Sequence, residues 1–246
     1  MAFREREETV LEYLREHKEA TVSELCKALF VSEPTIRRDL TRLAKAKKII
    51  RTHGGAYYRS TPGENLPQEF REKENADKKH EIAKKCLDLI NDGDTIMVDA
   101  SSTALPLLRM LASKSSIVVI TNSTKAPLIL ADTSVKTLIA GGELATNTYG
   151  IVGGYAESFI GGFNADICFL SVTNLSPSGY LTDNSIAENL VRKVMLSKSK
   201  RKVLMLDSTK IGGPCISTLG TLDDVDLVVS DKDLSELFPK YSHKFI

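Results

Sequence analysis

The sequence lacks tryptophan, is poor in aromatic residues and contains no apolar run long enough to span a membrane. Aromatic residues make up 6% of the chain, and a membrane helix needs about 20 consecutive apolar residues. The first eight residues, MAFREREE, are too charged for a secretory signal. These absences predict a cytoplasmic protein with no membrane partner.

The four cysteines are too widely separated to suggest a disulfide framework or a zinc site. Cys26, Cys86, Cys168 and Cys215 form no CxxC pair. Metal and disulfide scaffolds draw on closely spaced cysteines, whereas scattered ones are typical of reduced thiols in the cytosol. We therefore expect free, partly buried thiols, no metal site and no cofactor.

Charge is unevenly distributed, although the formal net charge of the 246 residues is only +1. The first 60 residues hold 13 Lys and Arg against 9 Asp and Glu, so the rest of the chain has a net charge of −3. Between Thr35 and Arg59, eight basic residues stand against Asp39 alone. Such a concentration of positive charge is typical of a polyanion-binding element. We predict a basic domain over 1–58, a linker over 59–68 rich in proline, glycine and polar residues, and a larger domain over 69–246.

The first 58 residues show the pattern of a winged helix-turn-helix domain. Apolar spacing predicts helices over 4–16, over about 21–30 and from Ser32 onward, with Pro34 in the first turn of the third. In the second helix, Leu25, Leu29 and Phe30 are expected to face inward. In the third, Ile36, Leu40 and Leu43 face the core, so its basic residues point outward. Residues 49–51 and 56–58 then predict a hairpin wing, with Gly54 and Gly55 at positive φ in the turn.

A basic helix beside a wing has the shape that enters a DNA groove. Arginine can donate two hydrogen bonds to guanine, whereas lysines suit phosphates. Which arginine reads bases stays open, and one of them can pair with Asp39 or with an acid of the first helix. A merely solvated basic face is the alternative interpretation. The predicted DNA-contacting residues are Ser32, Thr35, Arg37, Arg38, Arg42, Lys45, Lys48, Arg51, His53, Gly54 and Gly55.

Beyond the linker, apolar strands alternate with helices, which predicts an α/β domain with a mainly parallel sheet covered on both faces. A charged helical segment is expected over 68–90. In the helix predicted over 185–198, Ile186, Leu190 and Val194 should face inward, together with Val191. The predicted strands span 95–98, 117–120, 135–140, 167–172, 202–206 and 227–230.

Polar clusters follow the predicted strands, at the edge where parallel sheets bind ligands. The hydroxyls of 101–103 stand where a helix begins and suit a phosphate, with Lys210 as a cation. Asp99 and Asn122 suit sugar hydroxyls. Each cluster alone has a structural alternative, such as a helix cap, a turn or a solvated lysine. The predicted ligand-binding residues are Asp99, Ser101, Ser102, Thr103, Thr121, Asn122, Ser123, Gly141, Gly142, Glu143, Asp183 and Lys210.

Taken together, these motifs resemble the DeoR-type family of bacterial transcriptional regulators. The resemblance rests on TIRRDL at 35–40, on RTHGGA at 51–56 and on pieces of the second domain, and it spans nearly the whole chain. It implies an effector domain related to ribose-5-phosphate isomerase and the coenzyme A transferases. The sequence departs from the family at Ser101, commonly glycine, and at Asn174 and Leu175. The matching pieces of the second domain are 99–103, 121–123, 141–144, Gly150, Gly153, Asp166, Phe169, 179–182, Asp207 and Lys210.

The resemblance implies a sequence-specific repressor of a sugar-metabolism operon. Such a protein binds double-stranded operator DNA as a homodimer or homotetramer, and a phosphorylated sugar releases it. Two alternatives stay open: a sugar-phosphate isomerase with an appended DNA-binding domain, and a DNA-binding protein whose second domain only oligomerises. An isomerase needs a base and an oxyanion stabiliser. Asp99, Glu143, Asp183 and Lys210 form no recognisable catalytic pair, so no catalytic residue is predicted.

Overall fold

The computed structural model describes residues 3–46, 48–52, 54–58, 67–145 and 148–246. The chain divides into two compact units, Met1–Glu64 and Asn65–Ile246. Most of the predicted linker, 59–66, lies outside the described residues.

The first unit contains three helices and a three-stranded antiparallel sheet. The sheet order is β1-β3-β2, and Ile49 and Arg51 of β2 pair with Tyr58 and Ala56 of β3. The wing predicted from the sequence is therefore present. Strand β1, which pairs with β3, was not predicted, because three residues between two helices show no measurable alternation. The elements are α1 (Phe3–His17), β1 (Glu19–Thr21), α2 (Val22–Leu29), α3 (Glu33–Lys45), β2 (Ile49–Arg51) and β3 (Gly55–Tyr58).

Apolar residues spaced three and four apart hold these helices together. Ile36 and Leu40 of α3 are completely buried, and Leu43 is nearly so, as predicted. Helix α2 begins with a capping box, in which the Glu24 backbone N–H donates to Thr21 Oγ1 over 3.1 Å and Glu24 Oε2 accepts from the Thr21 N–H over 2.7 Å. The prediction for Phe30 was wrong: its side chain is 95% exposed. Phe30 ends α2 in the left-handed conformation, at φ 55°, and so has left the inward stripe of the helix.

The second unit is built around a six-stranded parallel sheet of order β14-β12-β9-β4-β5-β6. Alternate residues of the central strands enter separate cores on opposite faces. Ile96 and Val98 pack in one core, and Met97 packs in the other. This is the parallel α/β architecture that the sequence predicts. The sheet strands are β4 (Thr95–Val98), β5 (Val118–Thr121), β6 (Lys136–Ile139), β9 (Ala165–Leu170), β12 (Ser199–Met205) and β14 (Leu227–Val229).

Short strands that the sequence did not predict form two smaller sheets. Strands β7 (Glu143–Leu144) and β8 (Ile151–Val152) make a hairpin beyond β6. Strands β10 (Asn174–Leu175), β11 (Tyr180–Asp183) and β13 (Ser217–Thr221) form an antiparallel sheet of their own. The remaining α-helices are α4 (Gln68–Lys73), α5 (Ala76–Asp88), α6 (Leu105–Met110), α7 (Lys125–Leu130), α8 (Gly154–Gly161) and α9 (Ile186–Ser197).

Two helix predictions in this unit need correction. The expected single helix over 68–90 is broken at Asn75, which adopts a left-handed φ of 53° between α4 and α5. In α9, Ile186 and Leu190 are 58% and 44% exposed, so they do not face inward. Val191 is fully buried, as predicted, and so is Met195; these two residues bring Glu188 and Arg192 inward with them. This orientation is possible because carboxylates compensate the buried guanidinium of Arg192.

None of the helices in the described part of the chain combines the length and hydropathy needed to cross a bilayer. Cys86 and Cys168 are buried, Cys26 and Cys215 are half-buried, and all four are free thiols, as expected.

Candidate nucleic-acid interface and candidate ligand site

The outer face of α3 presents basic residues one and two helical turns apart. Arg38, Arg42 and Lys45 are exposed and follow the i, i+4, i+7 spacing that places side chains on one face. Lys48, just past the helix, is exposed as well. Within the described residues, Arg38 forms no ion pair or hydrogen bond, so its guanidinium is available to a partner.

The single acid of this segment is turned away from the basic face. Asp39 is completely buried and accepts a 2.5 Å hydrogen bond from Nε of Arg6, on α1. A basic residue of α1, Arg6, therefore pairs with Asp39, and the carboxylate lies inside the unit and not on the exposed basic face of α3.

Other predicted DNA-contacting residues are already engaged within the unit. Arg37 donates from Nε to Glu33 over 2.8 Å on the exposed surface. Arg51 Nη1 donates to the Arg37 carbonyl over 3.2 Å, so the wing strand contacts α3. Burial and the nearby Arg37 lower the pKa of Arg51.

The N-terminus of α3 carries two hydroxyl side chains, Ser32 and Thr35. Ser32 occupies the cap position but makes no side-chain bond to the helix backbone. Its hydroxyl lies 3.0 Å from that of Thr35, and Pro34 has no N–H to offer. Ser32 is exposed and Thr35 half-buried, so the pair faces the start of the basic helix.

Gly55 of the wing serves a close approach between strands and does not adopt the predicted positive φ. A Cβ on Gly55 would lie 2.0 Å from the Ala20 carbonyl oxygen, because β1 packs directly against this position. Gly54 has open space at the same point. His53, also predicted to contact DNA, lies outside the described residues.

In the second unit, the loops that follow β4, β5, β9 and β12 meet at one edge of the sheet. These strands are parallel neighbours, so their carboxyl ends lie side by side. Most of the predicted ligand-binding residues in these loops are nearly or completely buried, and Lys210 is half-buried. The predicted residues that the loops bring together are Asp99, Ser101, Ser102, Thr103, Thr121, Asn122, Ser123 and Lys210.

Two lysine ammonium groups point at the hydroxyls of the loop after β4. Lys210 Nζ donates to Thr103 Oγ1 over 3.2 Å, to Ser171 Oγ over 2.8 Å and to the Val172 carbonyl over 3.0 Å. Lys79 Nζ, from α5, donates to Ser102 Oγ over 3.3 Å. These acceptors are all neutral, so the positive charges remain available to an anion.

The lysines perturb one another electrostatically. Burial lowers the pKa of Lys79 to about 8, and the like charge of Lys210 contributes. Burial also lowers the pKa of Lys210, with Arg71 acting in the same direction and Asp207 against it. Clustered cations with lowered pKa values are typical of a binding site, because a bound anion relieves both the desolvation and the repulsion.

Asp99 and Asp183 hold the site together instead of presenting free carboxylates. Asp99 accepts from the Ser101 and Ser171 backbone N–H groups and from Arg192 Nε over 2.9 Å. Asp183 accepts from Arg192 Nη1 over 3.1 Å. Burial alone would raise the pKa of Asp183, but Arg192 and backbone N–H donors lower it on balance. Asp183, Glu188 and Asp99 outweigh the burial of Arg192 and raise its pKa.

The loop after β5 is equally ordered by hydrogen bonds. Thr121 Oγ1 donates to the Val98 carbonyl over 2.7 Å and accepts from the Ser123 N–H. Asn122 Nδ2 donates to the Ile151 carbonyl over 2.9 Å. Gly141, Gly142 and Glu143 are exposed in the connection to the β7–β8 hairpin, outside this buried cluster. Gly142 has a positive φ of 150°, and a Cβ there would lie 2.7 Å from the Val152 carbonyl oxygen.

Sequence reasoning missed four polar residues of this region: Gln68, Arg71, Lys79 and Arg192. For Lys79 a signal existed, since it lies three and four residues before Ile82 and Ala83 on the inward stripe of α5. Arg192 lies four residues after Glu188, at the same inward positions of α9. A charged residue at a core position of a helix indicates a buried polar site. In the part of the chain that the structure describes, no group of three His, Cys, Asp or Glu side chains is arranged to hold a metal.

These two sites define a class of protein: a winged helix-turn-helix domain with a basic recognition helix, followed by an α/β domain with a polar site at its strand ends. Comparison with known protein families gives the same division into two domains. Residues 6–61 match the DeoR-like helix-turn-helix domain, and residues 74–232 match the DeoR C terminal sensor domain. The chain belongs to the DeoR family of DNA-binding transcriptional regulators.

Curated relatives cover almost the full chain. The regulator GolR of Listeria innocua is 30% identical over 96% of this chain and 94% of its own length. The glycerol-3-phosphate regulon repressor of Escherichia coli is 28% identical, over 92% of this chain and 90% of its own. The repressor GlcR of Bacillus subtilis is 27% identical, over 95% and 90%. All three are named as regulators, and the isomerase alternative finds no support among them.

Among solved structures, the chain is similar to ribose 5-phosphate isomerase A of Methanocaldococcus jannaschii, with a TM-score of 0.43 and 17% identity over 56% of this chain and 55% of that one. It is also similar to eIF2B delta of Chaetomium thermophilum, with a TM-score of 0.49 and 16% identity over 68% and 60%.

Proposed function

We propose that this regulator represses a carbohydrate-metabolism operon and that a phosphorylated sugar releases it from its operator. The observation that carries the proposal is a pair of lysines, the buried Lys79 and the half-buried Lys210, whose ammonium groups meet the hydroxyls of Ser102 and Thr103. Two cations and adjacent hydroxyls suit a phosphate group in charge and in hydrogen-bonding capacity. The Escherichia coli and Bacillus subtilis relatives are both named as repressors, which supports repression, and the former is the repressor of a glycerol-3-phosphate regulon.

The operator-binding surface of the proposal is the basic face of α3 with the adjoining wing. Arg38 is our candidate for base contact, because it is exposed and without a partner among the described residues. Arg42, Lys45 and Lys48 are placed for phosphates along the same face. Readers of this kind commonly bind as symmetric dimers over half-sites one helical turn apart. We therefore propose a homodimer or homotetramer on double-stranded DNA.

A thermal-shift screen tests the ligand class directly. The full chain is heated with phosphorylated hexoses, pentoses and polyols, each beside its unphosphorylated counterpart. A ligand present at 100 times its dissociation constant stabilises the native state by about 2.7 kcal/mol. We expect stabilisation by at least one phosphorylated compound and none by its counterpart. Stabilisation by unphosphorylated sugars alone would refute the phosphate site.

The DNA-binding half of the proposal is tested with a duplex selected from a random pool by the full chain. Arg38→Ala should weaken binding of this duplex at least about fivefold, because a bidentate base contact contributes about 1–3 kcal/mol. The same variant should keep the full thermal stabilisation by the ligand. Loss of both activities in a folded Arg38→Ala protein would contradict two separate sites.

A further inference from the structure

Two buried amide side chains of the second unit have carbonyl oxygens that meet no donor. Gln68, the first residue of α4, is completely buried, and Asn122 is 3% exposed. Among the described residues, no hydrogen-bond donor faces Gln68 Oε1 or Asn122 Oδ1. Buried polar atoms are rarely left without a partner, because desolvating them is unfavourable. Two such atoms in one region therefore indicate a missing partner.

The orientation of both amides follows from their other hydrogen bonds. Gln68 Nε2 donates to the Ala100 carbonyl over 3.0 Å, and Asn122 Nδ2 donates to the Ile151 carbonyl over 2.9 Å. Turning either amide around would set two acceptor oxygens against each other. The unpaired atoms are therefore acceptors, and the missing partner is a donor.

Both amides border the loop that also holds the lysine-facing hydroxyls. Gln68 bonds to Ala100, one residue before Ser101. A Cβ on Gly150 would lie 3.0 Å from Ala100 Cβ and 3.5 Å from Asn122 Nδ2, which places Asn122 at the same loop. Lys79 and Lys210 bond to Ser102 and Thr103, the next residues along it. The site thus has a cationic part and, beside it, a part that offers acceptors.

We propose that Gln68 and Asn122 accept hydrogen bonds from hydroxyl groups of the effector, while the lysines hold its phosphate. This inference rests on the proposed function and assigns Gln68 and Asn122 to the hydroxyl-bearing part of the ligand, since a carboxylate or a carbonyl group has no proton to donate to these oxygens. It also makes α4 part of the sensor site. Helix α4 is the first element after 59–66 in the sequence, so a bound ligand would hold the first helix of the second unit in place.

The proposal is tested by calorimetry on the full chain, with inorganic phosphate and with the tightest-binding sugar phosphate of the thermal-shift screen. The quantity of interest is the affinity for the sugar phosphate divided by the affinity for inorganic phosphate. In Gln68→Met and in Asn122→Leu, we expect this ratio to fall about tenfold, with the affinity for inorganic phosphate changed less than about twofold. Lys73→Gln, at the exposed end of α4, is the control and should leave both affinities unchanged.

The outcomes separate the inference from the function on which it rests. An unchanged ratio in both amide variants would overturn the role of the amides and leave the lysine site intact. Equal loss of both affinities would also overturn it, because it would mean that Gln68 only supports the fold of the site. A wild-type protein that binds neither inorganic phosphate nor any sugar phosphate would refute the proposed function itself.

Discussion

At the scale of single residues, the candidate ligand site contains two lysines that are partly or largely withdrawn from solvent. Lys79 and Lys210 donate to Ser102 and Thr103, which are adjacent in one loop. Two nearby carboxylates, Asp99 and Asp183, pair with Arg192, whereas Asp207 partly offsets the charge of the lysines. The net effect is a positively charged position at the ends of the strands, maintained at a cost in stability that an anion relieves.

The lowered pKa of Lys79, about 8, predicts opposite pH dependences for stability and for ligand affinity. The folded-state pKa lies below the ordinary 10.5, so the unfolded chain binds more protons between pH 8 and 10.5 and stability contributed by this group rises over that window. Affinity for a phosphate dianion should fall over the same window, because Lys79 loses its charge. Lys210, Arg71, Asp207 and Glu74 are the charged groups that act on it.

These slopes are measured by chemical unfolding and by calorimetry at pH 7 to 10, in the wild type and in Lys79→Met. We expect the pH dependences of stability and of affinity to differ between the two proteins, and this difference measures the contribution of Lys79. Parallel pH profiles in both experiments would show that Lys79 titrates in its ordinary range.

The buried pair Arg6–Asp39 predicts a second residue-scale effect. Arg6→Met leaves Asp39 buried without its partner, and we expect the first unit to lose about 2 kcal/mol of its free energy of unfolding. Arg37→Met removes a partner of Glu33 in an exposed pair and should change stability by less than about 0.5 kcal/mol. Urea unfolding of the full chain, followed by amide exchange in the first unit, measures both. Equal losses of unfolding free energy in the two variants would mean that the burial of Asp39 does not increase the contribution of its ion pair to stability.

At the scale of elements, the wing depends on the approach of β1 to β3. Gly55→Ala would drive a Cβ to 2.0 Å from the Ala20 carbonyl oxygen, whereas Gly54→Ala enters open space. We expect Gly55→Ala to destabilise the first unit by at least about 2 kcal/mol and to weaken DNA binding, with Gly54→Ala close to wild type in stability. Thermal unfolding of both variants tests this, and a stable Gly55→Ala protein would contradict the strand pairing.

The sequence predicted elements well where a pattern had room to repeat. The six parallel strands are continuous apolar runs, and α3 shows its core residues Ile36, Leu40 and Leu43 at regular spacing. Two-residue strands such as β7 and β8 carry no such pattern. The orientation of α9 was predicted wrongly because Ile186, Leu190 and Val194 form an apolar stripe in the sequence. The buried stripe contains Arg192, and its partners Asp99 and Asp183 lie outside the helix, so the helix sequence alone does not show that Arg192 is compensated.

The same reasoning explains what was predicted of the ligand site. The strand ends of a parallel sheet can be located from the sequence, so the placement of the loops at 99–103 and 121–123 and of Lys210 at one edge could be predicted, while their role in ligand binding stays a prediction. Lys79 and Gln68 come from helices before the first sheet strand, and no rule of strand order places them there. The predicted Glu143 follows β6 at the edge of the sheet, where the chain turns into an exposed hairpin instead of closing over the site.

At the scale of the whole molecule, we propose that two sites in separate units are thermodynamically linked. A ligand shifts DNA binding only by the difference in its affinity for the DNA-bound and the free protein. Typical coupling free energies of 1–3 kcal/mol correspond to changes of about 5-fold to 150-fold in affinity. Arg38 would act at one site and Lys210 at the other, so substitutions at these positions should affect different parts of the response.

The most direct test of this linkage is a titration of operator binding, by fluorescence anisotropy, with the sugar phosphate that best stabilises the full chain. For the wild type, we expect saturating ligand to weaken operator affinity at least fivefold. Lys210→Met should bind the operator with wild-type affinity and show no response at the same ligand concentration. Operator affinity that is unchanged in the ligand-saturated wild type, or an equal response in Lys210→Met, would contradict the account.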